Sequence, residues 1–419
     1  MTESSGEASQ DDLVVVGGGL AGYIAALTAA RQDGSASVRL LCLSGDRFRT
    51  QSGLIDVLGY LPGSDEPVPE PLSAIEQLPA HHWYATLGPG RVEEALAVFD
   101  DTTGERYAGA HTEQNALFPT AVGTLKPASR YPGSTAAGLA STGQPMRLVG
   151  FDRLPDLDAE LAADRLDERV PYDVTDSSIT TAVPVDSVPA APAFARSLES
   201  GEEMYRDSLA EALRSVLDIE PRIGVPAVLG EQKAGAIRTE LEATLGVGLF
   251  EIPLGAPSIP GRRLESRLDA ALEEVGVSIE RNVSLAGAET AEGQIEAIRT
   301  GTESYHGSAF VLATGGLQAG GLVSSRTGVT EPLLDCPVQA PSSRQDWTAR
   351  EFLGDHDAVR VGIETDDQLR PAGGSGPVYS NLYAAGQILE TTNVIAEQSA
   401  DGVAILTGYE AGQRAIEQR

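Results

Sequence analysis

An α/β fold, built on a parallel Rossmann-like sheet and interrupted by a second α/β unit, is predicted by three features of this 419-residue chain. The apolar run Leu13-Val14-Val15-Val16 passes at once into Gly17-x-Gly19-x-x-Gly22 and an alanine-rich helical stretch. A late apolar strand ending in Ala313-Thr314 runs into Gly315-Gly316, and a third strand, Asn381-Leu-Tyr-Ala-Ala385, runs into Gly386. Strand, glycine turn and helix in that order give the spacing its meaning. The first glycine turns the chain, the second lets backbone approach a pyrophosphate, and the third lets helix pack on strand.

The first ten residues, MTESSGEASQ, have almost no apolar content and are expected to form a disordered acidic tail. A strand at 13–16, a helix over 23–31 and a strand at 38–43 then make one βαβ unit of about 30 residues, the length a parallel crossover needs. Residues 46–80 read as loop and 91–99 as helix. The stretch 104–135 mixes Gly, Pro, Thr and aromatics, which suits an irregular or antiparallel region that covers a site. A strand at 146–150 opens the inserted unit. A helix over 155–166 follows, with Asp156 and Asp158 in its first turn, where the helix dipole favours anions. Helices over 201–217 and 233–245 and an apolar run at 224–229 continue it. The proline-rich VPVDSVPAAPAFA reads as a connecting segment, since each X-Pro step disfavours helix at the preceding residue. Beyond it come a helix at 264–274, a strand at 277–279, a hairpin-like 294–298, the strand 309–314 and a closing helix over 402–417. Residues 11–145 and 255–419 are therefore expected to share one sheet around an inserted α/β domain at 146–254.

Thirty Lys plus Arg stand against 61 Asp plus Glu, a net charge of −31 that repels phosphate backbones and anionic headgroups, so nucleic acid is set aside as a partner. Only Lys126 and Lys233 are lysines; the other 28 cations are Arg. Such a surface suits concentrated salt, where the Debye length shrinks to about 3 Å at 1 M and carboxylates cease to repel one another. A halophilic cytoplasm is the setting this implies. Cys42 and Cys336 stand far apart without metal or disulfide spacing, so a reducing compartment and no metal centre are expected. Residues 13–30 carry no charge, yet Asp11-Asp12 precede them and their centre is glycine-rich, which argues against a signal or anchor segment. No direct membrane insertion is expected.

After the second strand, Leu43 is followed by Ser44 and Gly45, where an Asp or Glu for an adenosine ribose is the rule. The late turns still point to a Rossmann-like FAD/NAD(P)-binding flavoprotein fold with the inserted α/β domain. In such proteins a turn like Thr314-Gly315-Gly316 returns the chain to the flavin domain. Gln387, after Gly386, stands where they carry an Asp for the ribityl chain, and its amide can also bond a hydroxyl. Candidate cofactor-binding residues are Gly17, Gly18, Gly19, Gly22, Thr314, Gly315, Gly386 and Gln387, with Ser52 and Gly53 presenting backbone N–H groups to the flavin phosphate or ring.

These turns belong to a longer set of motifs. The set comprises VVVGGGLAG, Ser52-Gly53-x-x-Asp56 with Leu61-Pro62, His82-x-Tyr84 with Leu87-Gly88-Pro89 and Arg91-Val92, and Gly123-Thr124-Leu125. Its most specific part is Ala313-x-Gly315 leading to Gly320-Gly321-Leu322-Val323, Gly328, Glu331-Pro332, Thr365-Asp366, Leu369-Arg370-Pro371 and Asn381-Leu382. With them the chain resembles, almost end to end, the B subunits of anaerobic sn-glycerol-3-phosphate dehydrogenases, in a haloarchaeal-looking form. The resemblance implies an FMN-linked subunit, with FAD as the alternative. It also implies pairing with an FAD-bearing A subunit and an iron-sulfur C subunit, on the cytoplasmic face of the membrane. The implied reaction oxidises glycerol 3-phosphate to dihydroxyacetone phosphate for a quinone pool. The chain departs from the family's glycine-rich pattern at Glu397-Gln398-Ser399-Ala400-Asp401, where two added carboxylates oppose an anionic reduced flavin.

Oxidation of a secondary alcohol needs a base for the hydroxyl proton and cations for the phosphate. The catalytic candidates are His82 as base, Lys126 as a compact charge kept in a chain that has almost abandoned lysine, and Arg370, a guanidinium facing flavin or phosphate. Arg262 and Arg263 are the candidates for the substrate phosphate. Plainer roles stand beside each: a surface or capping histidine, an ion pair of Arg370 with Asp366 or Asp367, and pairs of Arg262 and Arg263 with Glu265 or Asp269. Two other classes compete with this reading, a flavin-free scaffold between catalytic and iron-sulfur partners and a stand-alone fumarate-reductase-like flavoenzyme.

Overall fold

The computed structural model describes residues 10–45, 48–185, 187–200, 203–301, 303–350 and 355–419, so the expected acidic tail lies outside the described residues but for Gln10. The chain opens with β1 (Asp11–Val16), α1 (Leu20–Gln32) and β2 (Val38–Leu43), then α2 (Trp83–Leu87), α3 (Pro89–Thr103) and a hairpin of β3 (Ala116–Pro119) and β4 (Leu125–Ala128). A second unit runs β5 (Met146–Phe151), α4 (Ala159–Asp167), β6 (Val174–Ile179), α5 (Ala190–Glu199), α6 (Glu203–Val216), β7 (Arg222–Pro226), α7 (Ala234–Leu245) and β8 (Gly248–Ile252). The return is through α8 (Ile259–Glu274), β9 (Ser278–Val283), β10 (Leu285–Ala291), β11 (Gln294–Thr300), β12 (Ser304–Leu312), β13 (Leu382–Ala384) and α9 (Ala400–Glu417).

The larger sheet has the order β9-β2-β1-β12-β11-β10, with β13 parallel to the carboxyl half of β12. Strands β9, β2, β1, β12 and β13 are all parallel, which brings their carboxyl ends to one edge. Val16 stands opposite both Leu41 and Leu312. The continuous apolar run of β1 follows from this central place, since a strand buried on both faces has no need of alternation. Helix α1 is buried from Leu20 to Ala30 and lies against α9 at a distance only small residues allow. A Cβ on Gly408 would stand 2.4 Å from the Ala21 carbonyl oxygen, and one on Gly412 2.3 Å from that of Ala25.

The smaller sheet, wholly parallel, has the order β8-β7-β5-β6, and its four strands fall within 146–252. Its core includes Val149, Phe194, Leu209, Leu213, Ile223 and Val225. Two expectations fail in this unit. Helix α4 begins at Ala159, because Asp158 is its cap: the carboxylate accepts from Leu161 N at 3.1 Å, leaving Asp156 outside. The proline-rich segment is a linker only as far as Pro189. Helix α5 starts at the next residue and takes in Pro192, whose missing N–H falls in the first turn, where backbone donors have no intrahelical acceptor in any case.

Candidate functional site

Three glycine turns leave the carboxyl ends of neighbouring strands, and the sheet's own hydrogen bonds tie them together. Ala313 N donates to Val16 O at 2.8 Å, and Ala385 N donates to Leu312 O at 3.0 Å. Gly17, at φ +124°, sits where a Cβ would be 2.0 Å from Ala313 O; Gly316 packs in the same way on Gln387 O, at 2.7 Å. Gly386, at φ +76°, leaves 2.7 Å between its missing Cβ and Ala21 on α1, while its N–H donates to Thr407 Oγ1 of α9 at 2.9 Å. Turns 17–22, 313–316 and 385–387 thus form one wall.

What that wall leaves unsatisfied fits a phosphorylated flavin. Gly19 caps α1 without a side-chain bond, no acid occupies the first turn, and a Cβ on Gly19 would meet nothing within 4 Å. The amino end of this thirteen-residue helix thus has no side-chain cap and no first-turn acid, and the half-buried Gly19 leaves room beside it, an arrangement that suits an anion. Beside it, Thr314 Oγ1 is buried without a hydrogen-bond partner, an arrangement that costs about 1–3 kcal/mol unless a ligand supplies the acceptor or donor. Gln387 is exposed at the rim. At the end of β2, Ser44 and Gly45 carry no carboxylate, and Asp46 lies outside the described residues.

Farther along α9 a second group of polar residues gathers. Asp401, in the first turn, is six residues from Thr407, or about 9 Å of helix rise. Its backbone N–H donates to Asp56 Oδ1 at 3.0 Å, and Asp56 N donates back to Asp401 Oδ2 at 3.4 Å. Gln51 Nε2 donates to the other Asp401 oxygen at 2.6 Å. Lys126 Nζ lies 3.0 Å from Asp56 Oδ2 and 3.4 Å from Ser52 Oγ, so two predicted site residues 74 positions apart meet here. Burial, with Asp56 adding to it, raises the Asp401 carboxyl from 3.8 to about 7. Burial works against the Lys126 charge, but Asp56 and Asp401 outweigh it and hold the ammonium above its ordinary range. Gly53, at φ +78°, turns the loop where a Cβ would stand 2.8 Å from Pro260.

The remaining candidates take other places. His82 is 1% exposed and caps α2, its Nδ1 accepting from Tyr84 N at 3.0 Å, and its Nε2 lies 3.3 Å from Glu397 Oε2. Burial opposes the Glu397 charge, yet His82 and Thr392 outweigh it and keep that carboxyl below its usual range. The capping role describes this histidine, and a buried cap is a poor place for a substrate base. Arg370 forms the plainer ion pair, Nη2 to Asp366 Oδ2 at 2.7 Å. Arg263 donates from Nε to Gly230 O at 2.8 Å and from Nη2 to Glu251 Oε1 at 2.9 Å, while Arg262 lies 3.3 Å from Glu231. Through these contacts the two arginines tie α8 to the ends of β7 and β8. Gln51 and Thr407 received no role from the sequence; Asp56 entered only as a member of the Ser52-Gly53-x-x-Asp56 motif, and Asp401 only as an added carboxylate in a stretch the family pattern makes glycine-rich.

A parallel sheet whose glycine turns close on an open helix amino end defines a dinucleotide-type flavin fold. A family model described as an FAD binding domain matches residues 12–403, nearly the whole chain. The chain is 41% identical over 426 residues to the B subunit of the probable anaerobic glycerol-3-phosphate dehydrogenase of Halobacterium salinarum, covering 98% of this chain and 99% of that one. It is 29% identical over 431 residues to the B subunit of the anaerobic glycerol-3-phosphate dehydrogenase of Vibrio vulnificus, covering 97% and 96%. Among solved structures it is similar to the 3-ketosteroid Δ1-dehydrogenase of Sterolibacterium denitrificans, at 12% identity and a TM-score of 0.44, covering 98% of this chain and all of that one. The chain belongs to the family of anaerobic glycerol-3-phosphate dehydrogenase B subunits, within the FAD-binding flavoproteins, and is part of a multisubunit oxidoreductase. Among the described residues, no helix is long and apolar enough to cross a membrane, and no group of three or more His, Cys, Asp or Glu is placed to hold a metal ion.

Proposed function

We propose that this chain holds a flavin across its three glycine turns and itself takes part in oxidising glycerol 3-phosphate to dihydroxyacetone phosphate. The observation that carries the reading is the meeting of the turns at 17–22, 313–316 and 385–387 beside an uncapped helix and an orphaned buried hydroxyl. When bound, the flavin supplies the two-electron chemistry. Gly17, Gly18, Gly19 and Gly22 let its phosphate reach the amino end of α1, Thr314, Gly315, Gly386 and Gln387 border it, and Ser52 and Gly53 line the adjoining loop. FMN is the form favoured here, because β2 ends in Leu43, Ser44 and Gly45 with no carboxylate for an adenosine ribose. FAD, for which the matching domain family is named, is the alternative. Lys126 and the solvent-facing Arg262 are the cations nearest this reading of the substrate phosphate, while Arg263 and Arg370 position their loops through Glu251 and Asp366.

The partners in this reading are an FAD-bearing A subunit and an iron-sulfur C subunit, through which the chain sits peripherally on the cytoplasmic face of the membrane. Purification in high salt followed by mass analysis of the released cofactor tests the proposal. A yellow chain absorbing near about 450 nm that releases FMN is the expected result. A colourless chain in a complete complex favours the scaffold instead, and turnover by the isolated chain with a dye acceptor favours the stand-alone flavoenzyme.

A further inference from the structure

Gln398 occupies a backbone conformation that favours glycine. Its φ is +47°, in the left-handed region, and it falls just ahead of α9, in the stretch where the chain departs from the family's glycine-rich pattern. The conformation is pinned, because Gly59 N donates both to Gln398 O at 3.0 Å and to the neighbouring Glu397 O at 2.9 Å. The side-chain amide oxygen, Oε1, is buried and has no hydrogen-bond partner. Of the five non-glycine residues with positive φ among those described, Gln398 alone carries such an orphan. Glycine at this position would remove the backbone strain and the unsatisfied oxygen together. A side chain that costs stability in two ways and sits beside a cofactor site points to a ligand contact.

The place of Gln398 in the fold fits one part of a flavin. A Cβ on Gly59 would stand 2.9 Å from Gln398 Cβ and 3.2 Å from Pro127 Cγ, so the side chain starts against β4, the strand that carries Lys126. About two turns of α9 separate it from Thr407, which accepts from Gly386 of the third glycine turn, so the amide stands away from the wall proposed for the phosphate. The loop of Ser52 and Gly53 meets this same end of α9, where Gln51 Nε2 donates to Asp401 Oδ1 at 2.6 Å. An amide oxygen can only accept, and a phosphate offers oxygens alone. The donor that matches is the imide N3–H of the flavin's pyrimidine ring, whose flanking carbonyls also suit the amide's own NH2 group. We propose that the Gln398 side chain binds the pyrimidine edge of the flavin, with Oε1 accepting from N3–H, an inference that rests on the function proposed above.

Titration of the flavin-free full chain in high salt, with FMN and with FMN methylated at N3, tests the assignment, because the methyl group removes this one donor. The wild type is expected to bind the methylated flavin at least about tenfold more weakly than FMN. Gln398→Gly is expected to bind the two alike, and to melt higher than the wild type when no flavin is present. Equal affinities in the wild type overturn the assignment, and so does a preference for FMN that survives in Gln398→Gly. A flavin-free Gln398→Gly chain that melts lower than the wild type shows a side chain kept for the fold and also overturns it. If Gln398→Gly leaves both flavin affinities unchanged but raises KM for glycerol 3-phosphate in the assembled complex, the amide serves a substrate hydroxyl and the flavin contact fails. A chain that binds neither flavin overturns the functional reading and this inference with it, a result distinct from equal binding of both.

Discussion

Thr314 shows what a single residue contributes to this fold. Its hydroxyl is buried and unpartnered, so it weakens the chain on its own and strengthens it once a ligand bonds to it. Thr314→Val is therefore expected to raise the stability of the flavin-free chain by about 1 kcal/mol while weakening flavin affinity several-fold. Thermal melts with and without added flavin would read both effects, and equal shifts in the two would refute the assignment. Asp401 works in the other direction. Its folded-state value of about 7 lies above the ordinary 3.8, so the folded chain holds a proton that the unfolded chain has lost. Stability therefore falls as pH rises between those values and levels off above them. Asp401→Asn is expected to flatten that slope in urea titrations at several pH values; an identical slope would count against the raised carboxyl.

Among the elements, the helix pair α1 and α9 holds the cofactor wall in place, because α1 carries the open amino end and α9 supplies Thr407 to the third turn. Gly408→Ala places a methyl 2.4 Å from the Ala21 carbonyl oxygen and should cost about 1–3 kcal/mol in denaturant unfolding. Gly235→Ala on α7 meets nothing within 4 Å and should stabilise by roughly 0.5 kcal/mol. If the two substitutions behaved alike, the close helix contact would be in doubt. Elements also show where sequence reading succeeds. β1 and its turn were legible because apolar run, glycine spacing and helix all agree locally. The sequence places the start of helix α4 four residues too early because a capping Asp and a first-turn Asp look alike. The start of helix α5 reads as linker because prolines stop helices, though they are tolerated in a first turn. Lys126 stood out by rarity, but its partner Asp56 lies 70 positions away and Asp401 a further 345 from Asp56, separations on which local pattern is silent.

For the whole molecule, the net charge of −31 and the near absence of lysine make stability depend on screening. Lowering salt lengthens the reach of carboxylate repulsion and is expected to lower the melting temperature steadily, a trend that circular dichroism can follow. At this scale the decisive relation in the proposed function is between sheet and ligand: three strands end together, and a bound flavin's phosphate would meet the amino end of α1. The most direct test is flavin content per chain, measured by absorbance after purification, for the wild type and for Gly19→Glu. A Cβ at Gly19 has no protein atom within 4 Å, so the variant is expected to fold and melt like the wild type while bringing a carboxylate to the turn proposed to hold the phosphate. About one flavin per wild-type chain and none in the variant is the predicted result. A colourless wild type, or a variant that keeps its flavin, would contradict it.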